Sequence, residues 1–324
     1  MTTKEKLLGL FEANKGIYFS GEEIARTLCV SRAAVWKAVK ALRQEGYAID
    51  AVTNKGYCLS EKTDILSPQG IRKYLKPAYQ AMELTVLPAA GSTNALLREK
   101  ANQGCPEGYT VLSNEQTEGR GRYGRTFYSP GDTGIYMSIL LRPLRYSAQQ
   151  AVRLTAVAAV AMCEAIEAVS GETAQIKWVN DIFVRGKKVC GILTEGSVGL
   201  ESGALEYAVL GAGVNVYPPK EGFPQELEAI AGTVFDSPRD DMKNRLAGEF
   251  INRFMDCYTA PDQTGYIEKY RSRSLVIGKS ITVFSGSQPR SAYTYGIDDA
   301  CRLLVRYDNG ETESLSYGEI GIRV

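Results

Sequence analysis

The chain has 324 residues, 44% of them hydrophobic and 23% charged, which predicts a folded protein of roughly two or three domains and excludes a disordered chain. Its 38 basic and 37 acidic residues nearly cancel, so any binding to nucleic acid must come from a local patch. The chain contains no histidine, so an enzyme of this composition should act by charge neutralisation and positioning, or through a carboxylate, lysine or tyrosine, rather than through histidine triads or histidine-ligated metals.

Residues 1–62 predict a compact domain of three helices followed by a β-hairpin. Apolar residues recur at helical spacing in the first segment, and Ser20 with Glu23 forms a capping box that opens the second helix. Ser31 can cap a third helix. The run Asn54-Lys55-Gly56 then marks a hairpin turn. This order of elements predicts a winged helix-turn-helix domain.

The third predicted helix carries the residue types that a helix-turn-helix protein places in the major groove. A helical wheel points three residues inward, Val35, Val39 and Leu42. From Ser31 to Glu45 four residues are basic and one is acidic, which suits DNA phosphates. The predicted DNA-binding residues are Ser31, Arg32, Ala33, Lys37, Lys40 and, at the hairpin tip, Lys55. Trp36 and the later Trp178 are predicted to be packing residues. The alternative is a small helical domain with a solvated basic face.

Residues 63–83 predict a linker, and residues 84–270 predict a central α/β domain with a mixed sheet. Strand-like runs alternate there with a long helix rich in alanine and valine, predicted from Ala148 to Val169; its apolar stretch is too short and too charged to span a bilayer. Residues 271–324 contain short β-rich runs between turn residues and predict a small β-barrel. The expected fold class is therefore α+β and multidomain.

The segment Gly119–Arg125 reads Gly-Arg-Gly-Arg-Tyr-Gly-Arg and matches the Gly-x-Gly-x-x-Gly dinucleotide fingerprint in pattern only. Thr126 to Gly131, which follow, are a poor start for a helix, so no helix N-terminus is available for a pyrophosphate. Three arginines among glycines instead indicate a flexible loop that closes over an anion through bidentate hydrogen bonds. The alternative is an arginine-rich surface loop.

This loop and the motifs around it resemble the biotin–protein ligase family, in the class that also represses a biotin operon. The loop looks like that family's adenylate-binding loop. The other motifs follow in the family's order: Gly91–Asn94, Glu115-Gln116, Lys177–Asp181, Gly186–Glu195 and Gly211–Val216. With the winged helix in front and the β-barrel behind, the resemblance covers nearly the whole chain. The sequence departs from the family at Val179, where proline is frequent.

The resemblance implies an ATP-dependent biotin–[acetyl-CoA-carboxylase] ligase that makes biotinyl-5'-AMP and passes biotin to a lysine of a biotin carboxyl carrier protein. It also implies binding to operator DNA, a homodimer, and Mg²⁺ beside biotin and ATP. A carboxylate and a phosphate repel one another, so such catalysis needs Arg, Lys and Mg²⁺ but no histidine. The alternatives are a ligand-sensing repressor with an inactive ligase domain and a related acyl-protein ligase such as a lipoate ligase.

The resemblance also assigns individual roles. The residues expected to be catalytic are Lys177, Arg122 and Arg120. Those expected to bind biotin are Ser92, Thr93, Asn94, Gln116, Arg120, Gly121, Arg122 and Lys177. Those expected to bind ATP or the adenylate are Arg122, Arg125, Asn180 and Asn215. Asp181 could help to hold Mg²⁺ or brace the site, and the segment from Phe223 to Val234 could cover the adenine.

The expected compartment follows from the cysteines and the N-terminus. The seven cysteines are scattered without close pairs, which fits a reducing cytoplasm and argues against a disulfide framework or a zinc site. The N-terminus opens with charged residues and develops no apolar signal core. We therefore expect a cytoplasmic protein.

Overall fold

The computed structural model describes residues 1–143, 151–199, 205–260, 265–284, 288–316 and 318–322. The chain divides into two compact units, Met1–Ala81 with Ser237–Ile251 (unit 1) and Met82–Asp236 with Asn252–Val324 (unit 2). Each unit has a hydrophobic core of its own. Among the described residues, no helix combines the length and the apolar character that crossing a membrane requires.

Unit 1 begins with the predicted three helices and hairpin. The helices are α1 (Thr3–Ala13), α2 (Gly21–Leu28) and α3 (Arg32–Gln44), and the antiparallel hairpin consists of β1 (Ile49–Val52) and β2 (Gly56–Leu59). Thr2 and Ser20 form capping boxes, and the Ser31 hydroxyl accepts a hydrogen bond from Ala34 N, so local capping sets where each helix begins. A short helix, α4 (Pro68–Arg72), follows the hairpin.

The turn between α2 and α3 depends on Cys29. This residue has a φ of 54°, in the left-handed region that glycine adopts most easily. The turn lets α3 bury Val35, Val39 and Leu42, as the helical wheel predicts, in one core with α1 and the hairpin. The outer face of α3 is thereby left exposed.

Unit 1 also holds a buried group of charges. Lys15 Nζ lies 3.3 Å from Glu12 and 2.9 Å from Asp241, while Lys73 Nζ lies 2.8 Å and 2.5 Å from the same two carboxylates. Burial opposes ionisation of Asp241, but hydrogen bonds from Lys73, Tyr74 and Lys15 outweigh it and hold its pKa below the usual range. These ion pairs connect Glu12 near the end of α1, Lys73 directly after α4 and Asp241 in the segment Ser237–Ile251, all within unit 1.

Unit 2 is built on a seven-stranded sheet. Its strands are β3 (Leu84–Leu87), β4 (Thr110–Ser113), β5 (Gly134–Leu141), β6 (Ala174–Lys177), β7 (Asp181–Val184), β8 (Lys187–Val198) and β9 (Leu205–Asn215). Their order is β3-β4-β5-β9-β8-β7-β6. The β3–β4 pair is parallel and the other pairs are antiparallel, so the predicted mixed sheet is confirmed.

Helices accompany this sheet. They are α5 (Thr93–Asn102), α6 (Ala151–Ser170), α7 (Gln225–Glu228), α8 (Met242–Thr259) and α9 (Tyr266–Ser272), and the division between the units falls within α8. The long helix α6 confirms the predicted alanine- and valine-rich helix from residue 151 onward, whereas residues 148–150 of that prediction lie outside the described residues. Its small side chains are buried almost throughout because they pack on the sheet.

The end of the chain forms a five-stranded antiparallel sheet. Its strands are β10 (Ser280–Phe284), β11 (Arg290–Ile297), β12 (Leu303–Tyr307), β13 (Thr312–Leu315) and β14 (Glu319–Ile322), in the order β13-β12-β11-β10-β14. This agrees with the small β domain expected from the sequence. Trp178 is buried and its indole N–H donates to Cys301 O at 2.9 Å, which confirms that Trp178 is a packing residue.

Candidate functional site

A pocket in unit 2 brings most of the predicted ligand-binding residues together. The predicted residues that line it are Ser92, Thr93, Asn94, Gln116, Arg120, Gly121, Arg122, Arg125, Asn180 and Asp181. They come from four segments: the start of α5, the residues after β4, the arginine loop and the turn between β6 and β7. The sheet therefore assembles the motifs into one site.

One end of the pocket is a network of hydroxyl and amide groups. Ser92 caps α5, and both the backbone N–H and the hydroxyl of Thr93 donate to Gln116 Oε1, at 2.9 and 3.1 Å. Gln116 Nε2 in turn donates to Ser129 Oγ at 3.2 Å. Asn94 Nδ2 donates to Glu195 Oε2 at 2.8 Å. These mutual hydrogen bonds fix the side chains in a region that is mostly buried.

Ser138 on β5 completes this network. Its hydroxyl oxygen lies 2.6 Å from Asn94 Oδ1 and 2.7 Å from Thr93 Oγ1, and its side chain is fully buried. Sequence reasoning missed Ser138. The available signal was a polar residue in the otherwise apolar run Gly-Ile-Tyr-Met-Ser-Ile-Leu-Leu.

The floor of the pocket is bare backbone because three glycines face it. Gly191 on β8 pairs with Gly213 on β9, and Gly211 follows on the same face of β9. The Phe127 ring lies against this surface: a Cβ on Gly213 would stand 2.5 Å from the ring, and one on Gly191 would stand 3.1 Å from it. Phe127 was also missed, since it follows the arginine loop outside the motif.

The arginine loop is a tight reversal of the chain. Gly121 N donates to Arg125 O at 2.7 Å and Phe127 N donates to Gly119 O at 2.9 Å. A single 3₁₀ turn spans Arg122–Gly124, and extended backbone follows. The prediction that no helix follows this glycine pattern is therefore confirmed, and a helix-bound pyrophosphate is excluded at this position.

Arg122 is held by neutral partners. Its Nη1 donates to Asn180 Oδ1 at 3.1 Å, and its Nη2 donates to the Tyr123 hydroxyl at 3.2 Å and to Gly318 O at 3.3 Å. Asn180 is fixed in turn, because its Nδ2 donates to Ile192 O at 3.0 Å. The guanidinium thus lies at the pocket without a carboxylate partner among the hydrogen bonds described.

Lys188 is a pocket cation that sequence reasoning did not single out. Its Nζ lies 2.7 Å from Asp181 Oδ1, and both side chains line the pocket. This ion pair supports the interpretation that Asp181 braces the site. Among the described residues, no three carboxylate or cysteine side chains cluster in a way that could hold a metal ion without other ligands.

Lys177 and Asn215 lie outside the lining of this pocket within the described part of the chain. Lys177 ends β6 in register with Asp181. Asn215 ends β9, and its Nδ2 donates to Gly232 O at 3.1 Å. Both assignments stay predictions.

The segment from Phe223 to Val234 is anchored to the start of β8. Lys187 Nζ donates to Glu228 O and Ala229 O, at 2.9 and 2.7 Å, at the end of α7. Lys188 N donates to Ile230 O at 2.8 Å. The segment is thus tied to the strand that carries a pocket cation, which is compatible with its predicted role as a second covering loop.

Two buried titratable groups near the pocket, the Tyr136 phenol and the Cys190 thiol, have raised pKa values. Burial raises the pKa of the Tyr136 phenol, and its hydroxyl donates to Pro130 O at 2.8 Å. Burial likewise raises the pKa of the Cys190 thiol on β8. Neither group suits a base or a nucleophile at neutral pH, so the chemistry of the pocket rests on its cations and its hydrogen-bonding groups.

The second candidate surface is the outer face of α3 in unit 1. The predicted DNA-binding residues Ser31, Arg32, Ala33, Lys37, Lys40 and Lys55 are all exposed. Arg43, by contrast, donates to Ile49 O through Nε and Nη2, at 2.9 and 2.6 Å, and so fastens α3 to the hairpin. The exposed face of α3 is therefore basic, and Ser31 and Arg32 at the start of the helix are accessible to solvent.

The prediction for Trp36 is wrong. Its side chain is 56% exposed, and Lys40 Nζ lies 5.5 Å from the centre of its ring. The reason is geometric: Val35 and Val39 occupy the buried stripe of α3, and a residue one position after Val35 is rotated about 100° away from it. Trp36 thus belongs to the exposed face.

Matches to known protein families cover both the pocket in unit 2 and the outer face of α3 in unit 1. Residues 86–215 match the biotin/lipoate A/B protein ligase family, residues 3–58 match an HTH domain, and residues 276–323 match a biotin protein ligase C-terminal domain. The bifunctional ligase/repressor BirA of Bacillus subtilis is 38% identical over 95% of this chain and 95% of its own length. The chain belongs to the BirA family. The family expected from the motifs is therefore confirmed.

Other relatives support this membership. The bifunctional ligase/repressor BirA of Escherichia coli is 28% identical over 99% of this chain and 98% of its own. A biotin protein ligase from Aquifex aeolicus, solved in complex with biotin and ATP, superposes with a TM-score of 0.61 at 24% identity, covering 74% of this chain and 98% of that one. The latter similarity shows that the fold is shared.

Proposed function

We propose that this member of the BirA family is an ATP-dependent biotin–[acetyl-CoA-carboxylase] ligase that also binds DNA as a transcriptional repressor of biotin genes. The observation that carries the ligase assignment is one pocket lined by two kinds of group. The ureido ring of biotin needs hydrogen-bond donors and acceptors, and hydroxyl and amide groups supply both. A carboxylate and a phosphate need cations, and three arginines with Lys188 line the same pocket.

In the first half-reaction, a carboxylate oxygen of biotin attacks the α-phosphorus of ATP. The bond from that phosphorus to the bridging oxygen breaks, pyrophosphate leaves, and biotinyl-5'-AMP remains. Both reactants are anions, so the barrier falls when fixed positive charge neutralises them in line. Arg120 and Arg122 are proposed for this role together with Lys177, and the adenylate contacts are assigned to Arg125, Asn180 and Asn215.

In the second half-reaction, a lysine amine of the biotin carboxyl carrier protein attacks the carbonyl carbon of the mixed anhydride. AMP leaves with the electrons of the carbon–oxygen bond, and the amine loses a proton. The task of the enzyme is to keep water from the anhydride until the lysine arrives. We assign this task to the loop Gly119–Arg125 and to the segment from Phe223 to Val234.

Mg²⁺ is proposed to bind together with the nucleotide. Proteins usually hold Mg²⁺ through one or two carboxylates and the phosphates of the substrate. Asp181 is the carboxylate among the described residues that line the pocket, so it fits this arrangement only when phosphate oxygens contribute. A bound Mg²⁺ would neutralise phosphate charge, and Lys188 would then have to share Asp181 with the ion.

The repressor function rests on unit 1. We propose that α3 enters the major groove, that Ser31 and Arg32 approach a phosphate, and that Lys55 on the hairpin contacts the backbone. A homodimer would match a palindromic operator. All seven cysteines are free thiols in the structure, which supports the proposed cytoplasmic location.

Label transfer tests the ligase proposal. The full chain is incubated with radiolabelled biotin, ATP and an apo carrier domain, and a carrier whose acceptor lysine is replaced by arginine is the control. We expect label on the native carrier alone, with release of pyrophosphate and AMP. Absence of transfer would leave a ligand-sensing repressor, and transfer of lipoate but not biotin would assign the chain to a different acyl-protein ligase.

A further inference from the structure

Trp36 is exposed in the middle of a well-packed helix. A buried indole contributes more apolar contact than most side chains, yet the neighbouring Val35 occupies the core and Trp36 remains 56% exposed. Single exposed apolar residues are common on protein surfaces. Exposure by itself therefore decides nothing, and the surroundings of Trp36 must show whether it has a partner.

Those surroundings are basic and open. Ala33 and Lys40 lie three residues before and four after Trp36, so both neighbour it on α3, and both are exposed. Lys37, which neighbours Ala33 and Lys40 by the same spacing, is exposed as well. Lys40 Nζ lies 5.5 Å from the ring centre, so the indole carries a positive charge at its face. A second copy of the same surface would repel this one, whereas a polyanion would be attracted.

The apolar character of the indole indicates which kind of polyanion fits this face. In the major groove of DNA, the thymine C5-methyl is the apolar group among the base edges, and apolar side chains, aromatic ones included, contact it. Ala33 has a small side chain that leaves room for a base edge to approach, while a lysine against the ring can reach a phosphate. A duplex with thymine in the groove therefore fits both properties of this face.

We propose that Trp36 is a specificity-determining residue that contacts a thymine methyl in each half-site, with Lys40 lying between the ring and the DNA backbone. This inference rests on the DNA binding proposed above. It adds a base contact to a surface whose other exposed side chains are mainly suited to phosphates. It also predicts that the preference for thymine is lost when the aromatic side chain at position 36 is removed.

The test begins with selection from a randomised DNA duplex library by the full chain in the presence of biotin and ATP. The native chain, Trp36→Ala, Trp36→Phe and the control Tyr293→Ala are compared. Tyr293 is an aromatic residue on β11 of unit 2 that is 41% exposed, so its replacement removes similar apolar surface away from α3. We expect a fixed thymine in each half-site for the native chain, Trp36→Phe and the control, and its loss in Trp36→Ala.

The second step replaces that thymine by deoxyuridine, which removes only the methyl group. Fluorescence anisotropy should show about fourfold weaker binding of the native chain per substituted half-site, which corresponds to ~0.8 kcal/mol for one buried carbon. Binding of Trp36→Ala should not change. This step requires no variant to reveal the methyl contact, and the thermal unfolding of Trp36→Ala, followed by circular dichroism, checks that unit 1 remains folded.

Three results would overturn the inference. Trp36→Ala could select the same sequence with native affinity, it could lose affinity equally for every sequence, or it could respond to deoxyuridine as the native chain does. If the native chain enriches no sequence at all, the proposed repressor function fails as well. This failure can be told apart from a failure of the inference about Trp36, because each of the three results above is observed with a native chain that does prefer a sequence.

Discussion

Replacing Gly211 by alanine should damage the hydroxyl and amide end of the pocket through Asn94. A Cβ on Gly211 would stand 2.2 Å from Asn94 Oδ1 and 2.9 Å from its Cγ, whereas real Cβ contacts essentially never fall under 3.0 Å. The backbone has little freedom to retreat, because Gly211 pairs with Ser138 on one side and with Leu193 on the other. The Asn94 side chain must therefore move.

The size of the effect follows from what Asn94 holds. Moving it strains the 2.6 Å contact with Ser138 and the 2.8 Å hydrogen bond to Glu195. Each such bond contributes about 0.5–1.5 kcal/mol, and overpacking costs about 1–3 kcal/mol. If about 1.4–2.8 kcal/mol of this falls on biotin binding, the KM for biotin rises about 10- to 100-fold. The KM for ATP should change little, because the hydrogen bonds described for Asn94 go to Leu193, Glu195 and Ser138 and not to the pocket cations.

Pyrophosphate release at varied biotin and varied ATP measures both constants. Gly265→Ala is the matched control, since its added Cβ meets nothing within 4 Å. When Asn94 is already replaced by alanine, Gly211→Ala should raise the KM for biotin little further, because the atoms with which its Cβ would clash are gone. An unchanged KM for biotin in Gly211→Ala, or full additivity of the two substitutions, would refute the assignment of Asn94 to the biotin site.

Four further predictions concern charged residues. Lys177→Ala should abolish adenylate synthesis because it removes the cation that we propose for the reacting oxygens; a native rate of pyrophosphate release would remove Lys177 from the mechanism. Arg122→Gly should release the adenylate, so that labelled biotin appears on many lysines of bystander proteins, and tight retention in a filter assay would contradict this. Asp241→Asn should destabilise unit 1 by about 3–5 kcal/mol at pH 7, because Lys15 and Lys73 are then left with one carboxylate, Glu12, between them. Because the folded-state pKa of Asp241 is lowered, its contribution is present above about pH 3.9 and is lost as the pH falls through the folded value. Urea unfolding should therefore show that the difference in the free energy of unfolding between the native chain and Asp241→Asn narrows toward pH 3. A difference that stays constant with pH would argue against the ion pairs as its source. Replacing Lys37 and Lys40 with alanine should weaken duplex binding and its salt dependence while label transfer persists; parallel loss of both activities would contradict separate surfaces.

Local signals made unit 1 predictable. Ser20 and Ser31 cap their helices through bonds to residues three positions away, and the hairpin turn is read from three adjacent residues. The prediction for Trp36 was wrong because it used the usual burial of tryptophan instead of the wheel position. On α3 that position is decided by Val35 and Val39, and the preference of the side chain does not override it.

The sheet of unit 2 shows where sequence reasoning stops. Strand β5 is buried along its whole length, so it has no alternation from which a face could be assigned. Its partners, β4 and β9, are distant in the chain, and their register depends on long-range pairing. Only the folded sheet brings Phe127 and Lys188 to the pocket lining and places Ser138 against Thr93 and Asn94. Motifs identified most of the site, but the residues that support them became visible only in the fold.

The contacts of Arg122 explain how a loop can be ordered before ligand binding and still close over an anion. Its guanidinium donates to Asn180, to the Tyr123 hydroxyl and to Gly318 O, at 3.1 to 3.3 Å. Hydrogen bonds from a charged donor to these neutral acceptors contribute about 1.5–3 kcal/mol at most, and less at such lengths. A bidentate pair with a phosphate or carboxylate adds a second parallel bond and an opposite full charge, and its bonds are shorter. We therefore expect an anion to displace these neutral acceptors from Arg122, and the contact of Arg122 with Gly318 O to be lost when it does.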